Sequence, residues 1–203
     1  MEKIIQRGAE AVIFLRGSEL VKERLKKGYR IPQIDGKIRK QRTRSEAKLM
    51  EKARFAGVAV PKTRIENDFS LVMDYIKGEK LKDALNSMDA EKRRRICRSV
   101  GEMIAKLHSS GVIHGDLTTS NMILKTEGKE EVYLIDFGLG KMSSSAEDQA
   151  VDLFLLYEAL KSTHFAILEE CWESVMKSYA GSYGKAEEVI SRMEKIKKRR
   201  RYK

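Results

Sequence analysis

Five side chains in this sequence have the types and the order that phosphoryl transfer from ATP requires. Such chemistry needs a cation for the phosphates, carboxylate and amide oxygens for Mg²⁺, and a carboxylate beside the attacking hydroxyl or water. The chain supplies Lys22, then Glu46, then Asp116 and Asn121 five positions apart, and finally Asp136 at the start of Asp-Phe-Gly. Each short motif is weak alone, but the combined order and spacing predict a site for phosphates and metal.

The expected role of each side chain follows from its chemistry. We expect Asp136 to hold Mg²⁺ between the phosphates and Asn121 to serve the second metal position. Asp116 would accept or orient the proton of the nucleophile. Lys22 would contact the nucleotide phosphates while an ion pair with Glu46 fixes its position. Without the downstream motifs, Lys22 and Glu46 would be interpreted as an ordinary strand lysine and an ordinary helix acid.

A short loop near the start of the chain is predicted to cover the nucleotide. Gly8, Ala9, Glu10 and Ala11 lie between two predicted strands, where a Gly-rich phosphate cover is expected, although only one glycine is present. Their backbone amides would approach the phosphates, and Ile13 would provide an apolar lid over the adenine. We name residues 8–11 the cover loop.

The segment 71–76 resembles the hinge that holds the purine in kinases. Met73 would lie at the back of the pocket, and backbone groups of Asp74 and Ile76 would face the purine edge. The alternative is that these are plain sheet residues.

Hydrophobic periodicity divides the chain into a strand-rich first part and a helical second part. Ile96, Val100, Met103, Ile104 and Leu107 have helical spacing and predict one buried helix face. Residues 26–36 form a basic connection that we interpret as a functional loop. The predicted strands cover residues 4–15, 19–25, 63–66, 70–75, 121–125 and 131–135, and the predicted helices cover 43–56, 89–108, 148–160, 165–179 and 185–198.

These elements predict an α+β, minimal bilobal kinase-like fold in a single domain. Residues 1–75 would form a small β-rich N-lobe with one main helix, and residues 76–195 a reduced, mostly helical C-lobe. Residues 196–203 would form a basic tail. The 203 residues suffice for a real core.

Composition narrows the class of protein further. Cys97 and Cys171 have no metal-ligand neighbours, so we expect reduced core thiols and no zinc or redox site. No apolar stretch is long enough to span a bilayer, and we expect a soluble, cytoplasmic protein. The net charge is +11. Contact with a polyanion and a generally basic surface explain this charge equally well.

The catalytic segment departs from ordinary protein kinases in ways that concern regulation. Gly115 stands where an arginine normally precedes the catalytic Asp, and no Ala-Pro-Glu motif follows. Fifteen residues separate Asp136 from Asp152, too few for a full activation segment and peptide-docking platform. Asp152 would hydrogen-bond the catalytic loop from below, or else be an exposed helix acid. His114 is expected to be structural.

The whole set of motifs resembles the small atypical kinase and ATPase subunit of the KEOPS complex. The most specific part is residues 114–121, which have the form His-Gly-Asp-x-Thr-x-x-Asn. The resemblance covers nearly the whole chain. The other matching segments are Gly8-Ala9-Glu10-Ala11, Val21-Lys22, Lys27-Gly28-Tyr29-Arg30, Ile135-Asp136-Phe137-Gly138-Leu139, Glu147-Asp148 and Ala150-Val151-Asp152-Leu153.

The resemblance implies an ATP- and Mg²⁺-dependent Ser/Thr-type kinase and ATPase that supports threonylcarbamoyl modification of tRNA. It implies as partners the catalytic tRNA threonylcarbamoyltransferase subunit and smaller subunits of the complex. It also implies tRNA contact through the basic end of the chain; a disordered cationic end is the alternative. The implied tRNA-contacting residues are Lys197, Lys198, Arg199, Arg200, Arg201 and Lys203.

Two other functions stay open at this point. Small-molecule kinases of the aminoglycoside or choline type share a similar catalytic loop, but they carry a large helical insertion. Only 65 residues follow Gly138 here. The second alternative is a nucleotide-binding regulatory scaffold without turnover, against which the complete set of five chemical side chains argues.

Overall fold

The computed structural model describes residues 3–201, with side chains for residues 3–199. An antiparallel five-stranded sheet opens the fold, in the order β1-β2-β3-β5-β4. One long helix, α1 (Pro32–Phe55), joins β3 to β4. This region therefore is a small sheet with one main helix, as the sequence predicted. The single strand predicted over 4–15 was wrong, because residues 8–10 separate two strands. The strands are β1 (Lys3–Arg7), β2 (Ala11–Arg16), β3 (Glu19–Arg24), β4 (Thr63–Asn67) and β5 (Ser70–Asp74).

Helix α1 begins eleven residues earlier than the sequence prediction of 43–56. Pro32 lies in its first turn, where proline costs no hydrogen bond and has the right φ angle. Asp35, also in the first turn, is fully buried and accepts a hydrogen bond from Arg39 Nε at 2.7 Å. The prediction of a functional loop over residues 26–36 was therefore wrong for its second half.

The second part of the chain is mostly helical. It contains a three-stranded sheet, ordered β6-β8-β9, and a two-residue pair of β7 with β10. The sequence predicted the strands at 122–125 and 131–134, but it missed the other short elements of this part. The elements are β6 (Gly78–Lys80), α2 (Leu81–Ala84), α3 (Ala90–Ser109), β7 (Val112–Ile113), β8 (Met122–Lys125), β9 (Glu131–Leu134), β10 (Lys141–Met142), α4 (Ala146–Thr163), α5 (Leu168–Ser182) and α6 (Ala186–Arg201).

Helix α3 forms the centre of the helical part. All five apolar residues predicted for its inner face are buried. Asp89 caps its N-terminus by accepting a hydrogen bond from the Lys92 N–H at 2.8 Å. At Gly101 an added Cβ would lie 2.3 Å from the Val175 carbonyl oxygen, so glycine permits close packing against α5.

Two further sequence predictions concern the interior and the surface. Cys97 and Cys171 are free thiols and both are buried, as expected. Within residues 3–201 no helix is long and apolar enough to cross a membrane.

Helix α5 begins at Leu168 rather than at Phe165, because residues 165–167 form a separate 3-10 turn.

Candidate active site

Lys22 lies at the centre of a charged cluster between β3 and α1. Its Nζ atom is 2.7 Å from Glu46 Oε1 and 2.7 Å from Asp136 Oδ1. Lys22 and Glu46 are buried, whereas the Asp136 side chain is half-exposed. The structure therefore brings together three of the five side chains that the sequence singled out.

Arg24 is a second cation in this cluster, and sequence reasoning missed it. Its Nη2 atom is 2.5 Å from Glu46 Oε2, so Glu46 binds Lys22 with one oxygen and Arg24 with the other. Residues two apart on a strand point to the same face, so Lys22 and Arg24 were a detectable pair. Glu46 therefore has a second cationic partner that does not depend on Lys22.

The charges in the cluster shift the pKa values of Lys22 and Asp136 in opposite directions. Burial alone would lower the pKa of Lys22, but Glu46 and then Asp136 more than offset it, and the net pKa is raised. Burial alone would raise the pKa of Asp136, but the charge and hydrogen bond of Lys22 lower it overall. Both side chains are therefore held in their charged forms.

The backbone of Asp136 has an unusual conformation. Its φ angle of +62° makes it the only described non-glycine residue with positive φ. The Gly138 N–H donates to Asp136 Oδ1 at 3.1 Å, which closes a tight turn. Such a conformation costs free energy and persists where the surrounding structure enforces it, commonly at functional sites.

Asp116 and Asn121 lie together on the loop between β7 and β8. The amide nitrogen of Asn121 donates to the Asp116 backbone oxygen at 2.9 Å and to Asp116 Oδ2 at 2.8 Å. Asn121 thereby fixes the carboxylate of Asp116. We name residues 114–121 the catalytic loop.

Asp152 supports the catalytic loop from helix α4. It is fully buried, and its two carboxylate oxygens accept hydrogen bonds from the His114 N–H at 2.6 Å and the Gly115 N–H at 2.8 Å. The interpretation of Asp152 as a support for the loop is confirmed, and the exposed-acid alternative is wrong.

His114 has a structural position, as expected. Its Nε2 lies 2.9 Å from the Ile135 carbonyl oxygen, and its Nδ1 accepts from the Asp116 N–H at 3.2 Å. This pattern requires the neutral ring, and burial is the main cause that lowers the pKa of His114. The ring also contacts Phe137, with centroids 4.6 Å apart.

The local backbone explains why glycine stands at position 115. Gly115 has a φ angle of +79°, and an added Cβ would lie 2.2 Å from the Leu139 carbonyl oxygen. An arginine at this position is incompatible with the close approach of the two loops. Glycine at position 115 therefore permits the catalytic loop to pack against the compact segment after Gly138.

A cavity of about 290 Å³ joins the cover loop to side chains that the sequence predicts to be catalytic. Lys22, Asp116 and Asp136 line it, as do Arg24 and Arg42. Every residue predicted for the phosphate cover and the adenine lid also lines this cavity, namely Gly8, Ala9, Glu10, Ala11 and Ile13.

The predicted hinge lies apart from this cavity. Met73 is buried in β5, where it contributes to the hydrophobic core. Asp74 and Ile76 line a separate cavity of about 690 Å³. The Asp74 N–H is bonded to the Lys62 carbonyl oxygen at 3.0 Å. The structure therefore does not place these three residues in one cavity with Lys22.

Comparison with known proteins identifies the family. A family model for the protein kinase domain matches residues 23–165. The chain is 47% identical to the KEOPS complex subunit Bud32 of Pyrococcus abyssi, over 98% of this chain and 96% of that one. The chain belongs to the Bud32 family of protein kinase domains.

Other relatives and structures are consistent with this family. The probable bifunctional tRNA threonylcarbamoyladenosine biosynthesis protein of Methanosarcina mazei is 44% identical over 98% of this chain, which spans 36% of that longer protein. The solved structure of WaaP in complex with acyl carrier protein has a TM-score of 0.64 and 14% identity, covering 98% of this chain and 88% of that one. This structural match supports the kinase-like fold alone.

A protein kinase domain implies ATP and a divalent metal, and the side chains of this Bud32-family chain fit both. Lys22 and Gly138 both contact Oδ1 of Asp136, so the other carboxylate oxygen is the one that would take a metal. The Asn121 amide nitrogen is engaged by Asp116, so its amide oxygen is the atom that would serve as a second ligand. Among residues 3–201 no group of three or more His, Cys, Asp or Glu forms a protein-only metal site. Phosphate oxygens and water normally complete such a site.

The predicted basic tail begins inside helix α6, which continues to Arg201. Lys198 and Arg199 are exposed, and Lys197 Nζ lies 4.0 Å from the centre of the Tyr157 ring. Lys197 therefore packs against α4 while its neighbours face solvent. The side chains of Arg200 and Arg201, and all of Lys203, lie outside the described residues.

Proposed function

We propose that this chain is an ATP-dependent atypical Ser/Thr kinase and ATPase that supports threonylcarbamoyladenosine modification of tRNA within a KEOPS complex. The observation that carries the chemistry is the position of Lys22 Nζ, 2.7 Å from both Glu46 and Asp136. Asp116 lines the same cavity. The relatives' names supply the biological setting.

The side chains divide the work of phosphoryl transfer between binding and proton handling. When the nucleotide binds, Lys22 would leave the Asp136 carboxylate and bind phosphate oxygens. Arg24 would stay paired with Glu46 and neutralise its charge. Asp136 and Asn121 hold the divalent metal, proposed to be Mg²⁺, which neutralises charge on the phosphates. Asp116 orients the attacking hydroxyl or water and accepts its proton.

The nucleotide is proposed to extend from the predicted hinge, which lines a separate cavity, to the cover loop. The backbone of Asp74 and Ile76 would bind the purine edge, with Met73 behind it and Ile13 above it. The backbone amides of the cover loop, residues 8–11, would contact the phosphates.

ATP turnover with and without the partners tests this function. The purified chain would be assayed alone, with the catalytic tRNA threonylcarbamoyltransferase subunit, and with that subunit plus tRNA. We expect turnover to rise with the partner and tRNA. The same mixtures with the Asp136→Ala variant are the control, because turnover that this variant loses belongs to this chain. Turnover that ignores both additions would contradict the role within the complex.

The two alternatives are distinguishable in the same assays. Metal-dependent nucleotide binding with no turnover under any condition would favour a regulatory scaffold. Phosphorylation of small alcohols would favour a small-molecule kinase, which the names of the relatives do not favour.

The exposed end of helix α6 is proposed to contact tRNA. Lys198 and Arg199 present positive charge to solvent, and phosphate contacts release counterions. The double variant Lys198→Gln, Arg199→Gln should weaken tRNA binding and reduce its dependence on salt concentration. The matched control is Lys82→Gln, Lys177→Gln, which removes two exposed charges elsewhere. An equal loss in both double variants would point to net charge alone.

A further inference from the structure

Arg42 lines the cavity but has no part in the function proposed above. It precedes Glu46 by one turn of α1, so the two side chains share a helix face. Its Nη1 atom donates to Glu10 Oε2 at 2.8 Å, which joins α1 to the cover loop. The cavity with Lys22 and Asp136 therefore has an additional guanidinium at its edge.

Strand register shows which end of the cleft Arg42 occupies. Glu19 at one end of β3 pairs with Asp74 of the predicted hinge, and Arg24 at the other end pairs with Ala11 of the cover loop. Glu19 and Arg24 are five positions apart, so the two ends of β3 are separated by about 16 Å. Lys22 lies between these ends. With the purine at the hinge, the cover loop is at the end where the outermost phosphate belongs.

The carboxylate of Glu10 is unusual on a loop that covers phosphates, because like charges repel. Two cations from outside the loop neutralise it here. Arg42 forms the close ion pair, and Lys27 Nζ lies 3.7 Å from Glu10 Oε1 while also donating to the Ala9 carbonyl oxygen. Lys27 thus binds the cover loop through the Ala9 backbone as well as through the Glu10 carboxylate.

The ion pair between Glu10 and Arg42 is readily exchanged. The side chains are 49% and 35% exposed, so water screens their attraction. A phosphate group offers more charge than a carboxylate and accepts two parallel hydrogen bonds from one guanidinium. The exchange costs little, because Lys27 still neutralises Glu10 after Arg42 leaves.

We propose that Arg42 binds the terminal phosphate of ATP, and that Glu10 holds it in position until the nucleotide arrives. This inference rests on the proposed ATP chemistry at the same cavity. Arg42 then distinguishes ATP from ADP, because only ATP reaches it. The Glu10 side chain acts as a positioning group for Arg42, and its carboxylate makes no contact with the nucleotide.

Binding of two nucleotides to four proteins tests the proposal. Dissociation constants for a non-hydrolysable ATP analogue and for ADP, both with Mg²⁺, would be measured for the wild type, Arg42→Ala, Arg42→Lys and Glu10→Gln. We expect Arg42→Ala to weaken the ATP analogue about tenfold and to leave ADP within about twofold. Arg42→Lys should give an intermediate loss. Glu10→Gln should bind the ATP analogue at least as tightly as the wild type.

Arg44→Ala is the matched control, since this arginine lies on α1, is 61% exposed and pairs with Asp68 at 3.5 Å outside the cavity. It should leave both dissociation constants unchanged. Thermal unfolding of each variant verifies folding. Arg42→Lys and Glu10→Gln carry the test if Arg42→Ala does not fold.

Two results would overturn the proposal. Equal weakening of ATP analogue and ADP by Arg42→Ala and Glu10→Gln would mean that their ion pair only fastens the loop. No effect of Arg42→Ala would remove Arg42 from the site, while loss of turnover in Asp136→Ala would leave the proposed function standing. A wild-type chain that binds no ATP analogue would overturn both proposals.

Discussion

The catalytic loop and the cover loop line the same cavity, yet contacts of different kinds hold them. Asp152, fully buried, holds the catalytic loop through two backbone N–H groups. Glu10, half-exposed, holds the cover loop through ion pairs with Arg42 and Lys27. Buried hydrogen-bonded charges are costly to disrupt, whereas exposed pairs contribute little. The catalytic loop is therefore held as a fixed framework, whereas the contacts that hold the cover loop are exchangeable.

The largest expected effect on the framework is the loss of Asp136. Asp136→Ala removes the proposed metal ligand, and we expect ATP turnover to fall by more than about 100-fold. Nucleotide should still bind weakly through Lys22. Turnover and nucleotide titrations in parallel check this. Substantial residual turnover would show that the metal assignment is wrong.

Loss of the support beneath the catalytic loop should be the next largest effect. Asp152→Ala leaves the His114 and Gly115 N–H groups buried without an acceptor, which should cost about 2–4 kcal/mol of unfolding free energy. Denaturant unfolding measures it. Asp148→Ala on the same helix removes an exposed pair with Lys141 and should cost less than about 1 kcal/mol. Equal costs in both variants would erase the contrast between buried and exposed contacts.

A third prediction concerns the buried start of α1. Burial raises the pKa of Asp35, but the hydrogen bond from Arg39 leads the contacts that lower it overall. Because the folded pKa lies below the ordinary value of 3.8, the stability that Asp35 contributes is present above pH 3.8 and is lost as pH falls through the folded pKa. Asp35→Asn should therefore destabilise the protein at neutral pH.

The measurement is the unfolding free energy of Asp35→Asn and wild type from pH 7 downwards. The difference between the two proteins should shrink as the pH falls below 3.8. A difference that stays constant throughout acid titration would show that the charge of Asp35 is not what anchors α1.

The sequence predicted features that depend on residue type and order, and it missed features that depend on contacts between residues far apart in the chain. The five chemical side chains could be predicted from the sequence because phosphate and metal chemistry restricts residue type and order. The early start of α1 was missed although Pro32 marks it, because the basic residues around it suggested a loop. Arg24 and Arg42 were missed because their ion-pair partners are distant in the sequence. Arg24 pairs with Glu46, and Arg42 pairs with Glu10.

The role of Gly115 shows the same limitation. Its departure from the usual arginine was visible in the sequence, but the reason is the Leu139 carbonyl oxygen 2.2 Å from where a Cβ would lie. No local pattern reports such a contact between two loops. The separate cavity at Asp74 and Ile76 was equally invisible, since it depends on how the sheet meets the helical part.

The smallest effect on stability is expected at the cover loop. Glu10→Gln removes one charge from an exposed ion pair, so the unfolding free energy should change by less than about 0.5 kcal/mol. Denaturant unfolding measures this beside Asp152→Ala. A loss as large as that of Asp152→Ala would mean that the cover loop belongs to the fixed framework.

Backbone hydrogen exchange tests the difference between the two loops most directly. It would be measured on the wild-type chain with and without a non-hydrolysable ATP analogue and Mg²⁺. We predict that the His114 and Gly115 amides are protected in both conditions, whereas the Ala9 and Glu10 amides exchange readily until the nucleotide is added. Equal protection of both loops without nucleotide, or no response of Ala9 and Glu10 to the nucleotide, would contradict the account.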